Sequence, residues 1–260
     1  MRYTDMADEL YTAARTATAA GVRMGVSRQG SVTVTRVEIS RDDFERPRGR
    51  YVTLETPSVS VLDERDDAVI ELAASELRSL LPPEGPVLVL GVGNRRVTAD
   101  ALGPRTVQKI FVTMGVKRIP VPGIRPVAAV SPGVSAATGL TLRQLAGALV
   151  KELHPAALVC VDSLCSMEPE RLGRTMQFSD TGLCPAQPDS TKHLDAAGLG
   201  VPVIAAGIPT LMESEEGKDL VVTPRELDSV ISHGAALLGA AINRALQPRL
   251  SIAQLCWLAG

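Results

Sequence analysis

Nowhere in the 260 residues does an apolar run approach the ~20 needed to cross a bilayer as a helix. The opening "MRYTDMADEL" carries acids and lacks an apolar stretch, so it does not read as a secretory signal. An excess of one charge is lacking as well. The net charge is −2, which gives no electrostatic reason to expect direct nucleic-acid binding, and no membrane partner is expected. The clustered charges of "SRDDFERPRGR" alternate in sign and read as a solvated loop. Together these absences predict a cytoplasmic protein.

Cysteine and histidine are scarce. Cys160, Cys165, Cys184 and Cys256 match no zinc spacing, and a reducing compartment argues against a disulfide framework. A catalytic thiol would need His154, His193 or His233 as its base, and none of them sits in a recognisable nucleophile signature. Cys184, in "DTGLCP", is the one cysteine held back as a candidate. A phosphate-binding loop is missing too. "GVGNRR" follows the apolar run "PVLVL", but Arg96 stands where G-x-G-x-x-G needs its third glycine, and no G-K-[ST] follows. That loop reads instead as one that presents a carboxylate, Asp100.

What is present is an alternation of strands and helices in a chain that is 45% apolar. "SVTVTRVEI" and "GRYVTLETP" read as early strands. Residues 65–81 place Val69, Leu72, Leu77 and Leu81 at helical spacing behind a first turn rich in acid. Then come the strand "PVLVLGVG", a helix over "GPRTVQKIFVTMGV", the strand "PVAAVSPG", and a helix over "TLRQLAGALVKEL". The strands "AALVCVD", "RTMQFSD" and "VPVIAAGIP" follow. A last helix over "TPRELDSVISHGAALLGAAINRAL" is expected to be capped by Thr223, with Pro224 at its first position. Continuous apolar strands between helices predict an α/β fold with a mostly parallel central sheet covered by helices on both faces. Residues 1–260 form one unit in this reading, with 1–60 as a small β-rich lobe packed on a 61–260 core.

Three acids end predicted strands or the loops behind them: Asp100, Asp162 and Asp180. In open α/β sheets, sites gather beyond the carboxyl ends of strands, so neighbouring strands would bring these carboxylates to one crevice. Any one of them could as well be a turn former or a helix cap. Three in such positions point to a site, with Asp100 and Asp162 close enough to share a proton or one bridging water.

The residues also carry a resemblance. "VLVLGVGNRRVTADALGPRTV", "SPGVSAATGL", "ALVCVDSL", "RTMQFSDTGL", "GVPVIAAGIPT", "VVTPRELD" and "INRAL" occur in the order of the germination proteases of spore-forming bacteria. "VTRVEI" and "GRYVTLETP" upstream resemble that family too, so the likeness spans nearly the whole chain. It implies a fold shared with hydrogenase-maturation endopeptidases. It also implies an aspartate-dependent endopeptidase of the forespore or spore core, cutting small acid-soluble spore proteins. The family's two aspartates map onto Asp100 and Asp162, with Asp180 and Asn94 as supporting residues. Which acid gives a proton and which takes one stays open. No cofactor and no metal is expected, and the resemblance points to a homo-oligomer, a tetramer in the family.

Two segments depart from the family pattern. After "DTG" the family has "PGSG-x-GN-[KR]", whereas "LCPAQPDSTKH" stands here, so loop 183–193 is expected to be mobile or reshaped by Pro185 and Pro188. Only "LMESEEGKDLV" separates "IPT" from "VTP", where the family has a longer insertion. The competing classes are a metal-dependent maturation peptidase of the same fold and a catalytically silent relative.

The family trims itself at a site like its substrates', Thr-Glu-(Ile/Phe)-Ala-Ser-Glu cut after the first Glu. Thr4-Asp5-Met6-Ala7-Asp8-Glu9 fits position by position, which implies self-processing between Asp5 and Met6. The same residues also suit a helix start, with Thr4 as cap and the acids at the positive end of the macrodipole.

Overall fold

The computed structural model describes residues 3–13, 21–42, 44–63, 65–115, 123–185, 192–213 and 220–259. A first helix, α1 (Ala7–Ala13), precedes three strands, β1 (Val22–Gln29), β2 (Val32–Ile39) and β3 (Gly49–Glu55). Then follow α2 (Asp67–Leu80), β4 (Val87–Gly91), α3 (Leu102–Val107) and β5 (Val127–Val130). The short α4 (Ser135–Thr138) and the longer α5 (Leu142–Leu153) lead into β6 (Ala157–Cys165) and β7 (Thr175–Ser179). The chain closes with α6 (Ala196–Leu199), β8 (Val203–Glu213), β9 (Val221–Val222), α7 (Leu227–Leu246) and α8 (Ile252–Ala259).

The strands form one sheet in the order β1-β2-β3-β7-β8-β6-β4-β5, with β9 paired to β8. The fold class is α/β, but the sheet is not mostly parallel. Only β4–β5, β4–β6 and β6–β8 are parallel pairs, and the other five are antiparallel. The reason lies in β7, which lacks a crossover helix before it and enters antiparallel to both β8 and β3. Through β3 it joins the β-rich N-terminal strands to the parallel ones, so that lobe is a wing of the same sheet.

Strand alternation divides the core between the two faces. Val34, Leu54, Val89, Val159, Phe178 and Ile204 point to one face and pack with residues of α2 and α7. On the other face, Leu88, Leu90, Leu158, Cys160 and Val203 meet α5, and Val37, Ile39 and Tyr51 meet α1. The gap between the α5 patch and the α1 patch lies over β6, β8 and β7.

Several expected elements differ in extent. The helix expected over "GPRTVQKIFVTMGV" stops at Val107 because later backbone groups find tertiary partners. Asn243 accepts the Phe111 N–H at 2.8 Å and donates to the Lys109 carbonyl at 2.8 Å, and Val127 takes the N–H of Thr113. Helix α7 begins after Glu226 with no side-chain cap, so Thr223 does not serve as one.

Candidate active site

The turn behind β4 is shaped around Asp100. Gly93 has φ +121°, and a Cβ there would lie 2.1 Å from the Asp100 carbonyl oxygen, so only glycine fits. The Asn94 N–H then donates to Asp100 Oδ2 at 2.8 Å. The amide a phosphate loop would offer outward is spent on the chain's own carboxylate. Asn94 supports Asp100 through its backbone, while its side chain accepts from the Arg96 N–H.

Asp162 lies within β6 rather than at its end, because the strand continues to Cys165. It shares the face of Leu158 and Cys160, which places it in the gap between the α5 and α1 patches. Lys192 reaches both acids. Its Nζ donates to Asp100 Oδ1 at 2.8 Å and to both Asp162 oxygens at 3.1 Å. An ammonium thus links the two acids.

Burial sets the electrostatics. Asp162 is 3% exposed, and desolvation pushes its carboxyl up to about 7 against the opposing pull of Lys192, with Asp100 adding to the rise. Burial works against the charge of Lys192, yet the two carboxylates outweigh it and raise that group.

The sheet register supplies a second row of groups. Asp162 pairs with Gly207 on β8, and Gly207 pairs with Gln177 on β7. An acid and an amide thus flank a residue with no side chain, and both line a cavity of about 240 Å³. Tyr3, Asp5, Arg46, Asp100, Asp162 and Gln177 are among its lining residues.

Asp180 is not brought to the pair. Because β7 runs antiparallel to β6 and β8, its carboxyl end lies beside the start of β8, away from the Asp162–Gly207 row. There Asp180 accepts the Arg50 N–H and the Arg50 Nε–H, each at 2.7 Å.

A profile of the germination protease family matches residues 3–216. The chain belongs to that family. Germination proteases of Clostridium perfringens and Clostridium acetobutylicum are 32% and 29% identical to it, over 84% and 90% of this chain and 86% and 91% of theirs. The germination protease of Priestia megaterium is 33% identical over 82% of this chain and 60% of its own length. Among solved structures, a hydrogenase maturation protease of Thermococcus kodakarensis aligns with a TM-score of 0.37 and 15% identity, over 64% of this chain and 98% of its own.

Within this germination protease homologue, three site residues escape sequence reasoning. Within "LCPAQPDSTKH", Lys192 is the eighth residue counted from Pro185 and so falls on the basic position of "PGSG-x-GN-[KR]"; its retention was the available signal. Residues 186–191 of that loop lie outside the described residues; the loop's ends close as a bridge between Leu183 and Leu194. Arg46 sits in the charge-alternating run expected to be solvated, yet it is 7% exposed. Gln177 had no signal beyond its place in a strand.

Cys184 lines the same cavity, with Sγ 3.8 Å from His193 Nε2. That nitrogen also faces Asp195 Oδ2 at 3.0 Å, so the imidazole has no separate nitrogen aimed at an orienting acid. Burial pushes the thiol up to about 11. Neither feature suits a nucleophile.

The N-terminal segment enters the site. The Asp5 N–H donates to the Cys165 carbonyl and the Cys165 N–H donates to Asp5 Oδ2, both at 2.8 Å. Thr4 Oγ1 accepts the Met6 N–H at 3.0 Å, and Met6 is fully buried. Asp8 pairs with Arg171 at 2.7 Å, and Glu9 accepts the Met167 N–H at 2.8 Å.

Proposed function

We propose that this chain is an endopeptidase that hydrolyses small acid-soluble spore proteins with Asp100 and Asp162 as its proton-transfer pair. The observation that carries the reading is the placing of both carboxylates on one ammonium in one cavity, with Asp162 held up to about 7. A carboxyl of that kind holds a proton near neutral pH and can donate it.

Asp100, the more exposed of the two, takes a proton from water, and the water oxygen adds to the peptide carbonyl carbon. The carbonyl electron pair moves onto its oxygen. Collapse of the tetrahedral species breaks the C–N bond as Asp162 protonates the leaving nitrogen. Asp100 then carries the proton taken from water, and its return to Asp162 through solvent restores the starting state. Lys192, in contact with both side chains, holds the two acids in register.

The same site acts on the chain's own Asp5–Met6 bond in this reading, which makes the full chain a precursor. Helix start and cleavage site coincide: Thr4 caps the turn that presents the bond. The assembly is read as a homo-oligomer, a tetramer on the family's pattern, in the spore core.

The test is incubation with a spore-protein peptide carrying an acid before an apolar residue, with products read by mass spectrometry. Asp100→Asn and Asp162→Asn should each lower the rate ~10²–10⁴-fold while keeping native circular dichroism. Asp180→Asn should stay within about threefold of the parent, since its partner is Arg50. Cleavage that persists in both site variants would remove the paired-acid mechanism.

A further inference from the structure

Arg46 is a buried cation without a counter-ion among the described residues. Its Nη1 donates to the Cys184 carbonyl at 2.9 Å and its Nη2 to the Asp5 carbonyl at 3.0 Å. Its Nε is buried and has no hydrogen-bond partner. Two neutral carbonyls compensate a desolvated guanidinium poorly, and arginine cannot shed its proton to escape the cost.

Gln177 meets it at the same oxygen. Gln177 Nε2 donates to the Asp5 carbonyl at 2.7 Å, while Gln177 Oε1 accepts the N–H of Ala7 at 2.8 Å. The side-chain amide thus spans the Asp5–Met6 bond, holding the carbonyl on one side and the next free N–H on the other. Cys165 holds the Asp5 N–H, and the Met6 N–H is held within the segment by Thr4 Oγ1.

We propose that Gln177 and Arg46 are the carbonyl-binding pair of the active site, stabilising the oxyanion formed when water adds to the residue before the cut. This rests on the peptidase reading above. Two donors converge at 2.7 and 3.0 Å on one ground-state carbonyl oxygen, the atom on which the oxyanion would form. The charge that develops on that oxygen is also the counter-ion Arg46 lacks, so the interaction strengthens as the reaction proceeds. Gly207 lies between Asp162 and Gln177 in one cross-strand row, so no side chain of β8 stands between them in that row. Both side chains address main-chain atoms, so the pair acts on any bond the site accepts.

The experiment uses the full chain and the peptide Thr-Asp-Met-Ala-Asp-Glu at saturating concentration. Gln177→Glu keeps the acceptor for Ala7 and removes the donor, and Arg46→Met removes an unpaired buried charge at similar volume. Each should lower kcat about 10²-fold or more and leave KM within about threefold. Thermal unfolding and circular dichroism verify that the variants fold, and either variant alone suffices. A kcat within threefold of the parent, or a loss confined to KM, would overturn the proposal and leave the peptidase reading standing. A second arm measures affinity for the same peptide with a phosphinate in place of the Asp-Met amide, a tetrahedral anion that is not turned over. Both variants should bind it at least tenfold more weakly than the parent. If the parent cleaves nothing, the peptidase reading fails and the oxyanion role falls with it, even where the phosphinate binds. Binding that is absent in the parent, or equal in the variants, sinks the pair.

Discussion

Lys192 stands 3.1 Å from each oxygen of Asp162, an even straddle of a carboxyl that burial alone would leave protonated well above the usual range. The ammonium and the desolvation pull in opposite directions, and desolvation wins by enough to leave the group near neutrality. That balance sets the first expectations.

Activity should fall as pH rises through about 7, because Asp162 must carry a proton to donate it. The fold should respond with the same sign. A carboxyl raised in the folded state contributes stability that is fully present below its unfolded value near 4 and is lost as pH rises through about 7. Thermal unfolding of the parent should therefore lose ground to Asp162→Asn between pH 5 and 8. Parallel curves for the two proteins would contradict the assignment.

Replacing Lys192 with Met should move the falling limb of the pH–rate profile to higher pH, since the lysine's charge lowers Asp162. The rate at neutral pH should drop at least tenfold as the two carboxylates lose their common anchor. Lys192→Arg should recover much of it, because a guanidinium can bridge two carboxylates. An unshifted limb in Lys192→Met would show that the ammonium is too well screened to matter.

Prolonged incubation at mildly acidic pH should convert the chain to one that begins at Met6, read by N-terminal sequencing. Asp162→Asn should keep its original start under the same conditions. A chain that still begins at Met1 or Arg2, in a preparation that cuts spore-protein peptides, would rule out self-processing.

Gly207→Ala should cost stability and activity together. Its Cβ would lie 2.5 Å from the Asp162 carbonyl oxygen and 2.7 Å from the Leu164 side chain, in the row that forms the cavity floor. Overpacking of this kind costs about 1–3 kcal/mol, visible as a fall of several degrees in Tm. A variant with unchanged Tm and rate would show that the floor yields freely.

Asp100 and Asp162 were legible because each stands at a point where an apolar run meets a polar residue, a pattern carried by a few adjacent letters. Asp180 has the same local pattern and a different fate, since strand polarity is decided by partners far away in sequence. Nothing in "RTMQFSD" says that β7 runs against β8. Arg46 and Gln177 were illegible for a related reason. Their surroundings are built by the N-terminal segment and by β7, which lie more than 120 residues apart, and charge alternation around Arg46 mimics an exposed loop. Lys192 lay between these cases, visible only when the replaced segment was counted residue by residue.

The cavity floor is cross-strand pairing, whereas only its walls are loops. Asp162, Gly207 and Gln177 inherit their spacing from ladder hydrogen bonds that any sequence forming these strands would reproduce. The walls can drift, shorten or be rewritten without moving the floor. Divergence can therefore accumulate in segments such as 183–193 while the central geometry stays fixed, provided each rewritten loop still returns one cation to the acids. Evolutionary tolerance here is a matter of which groups hang from the ladder and which are strung between its ends.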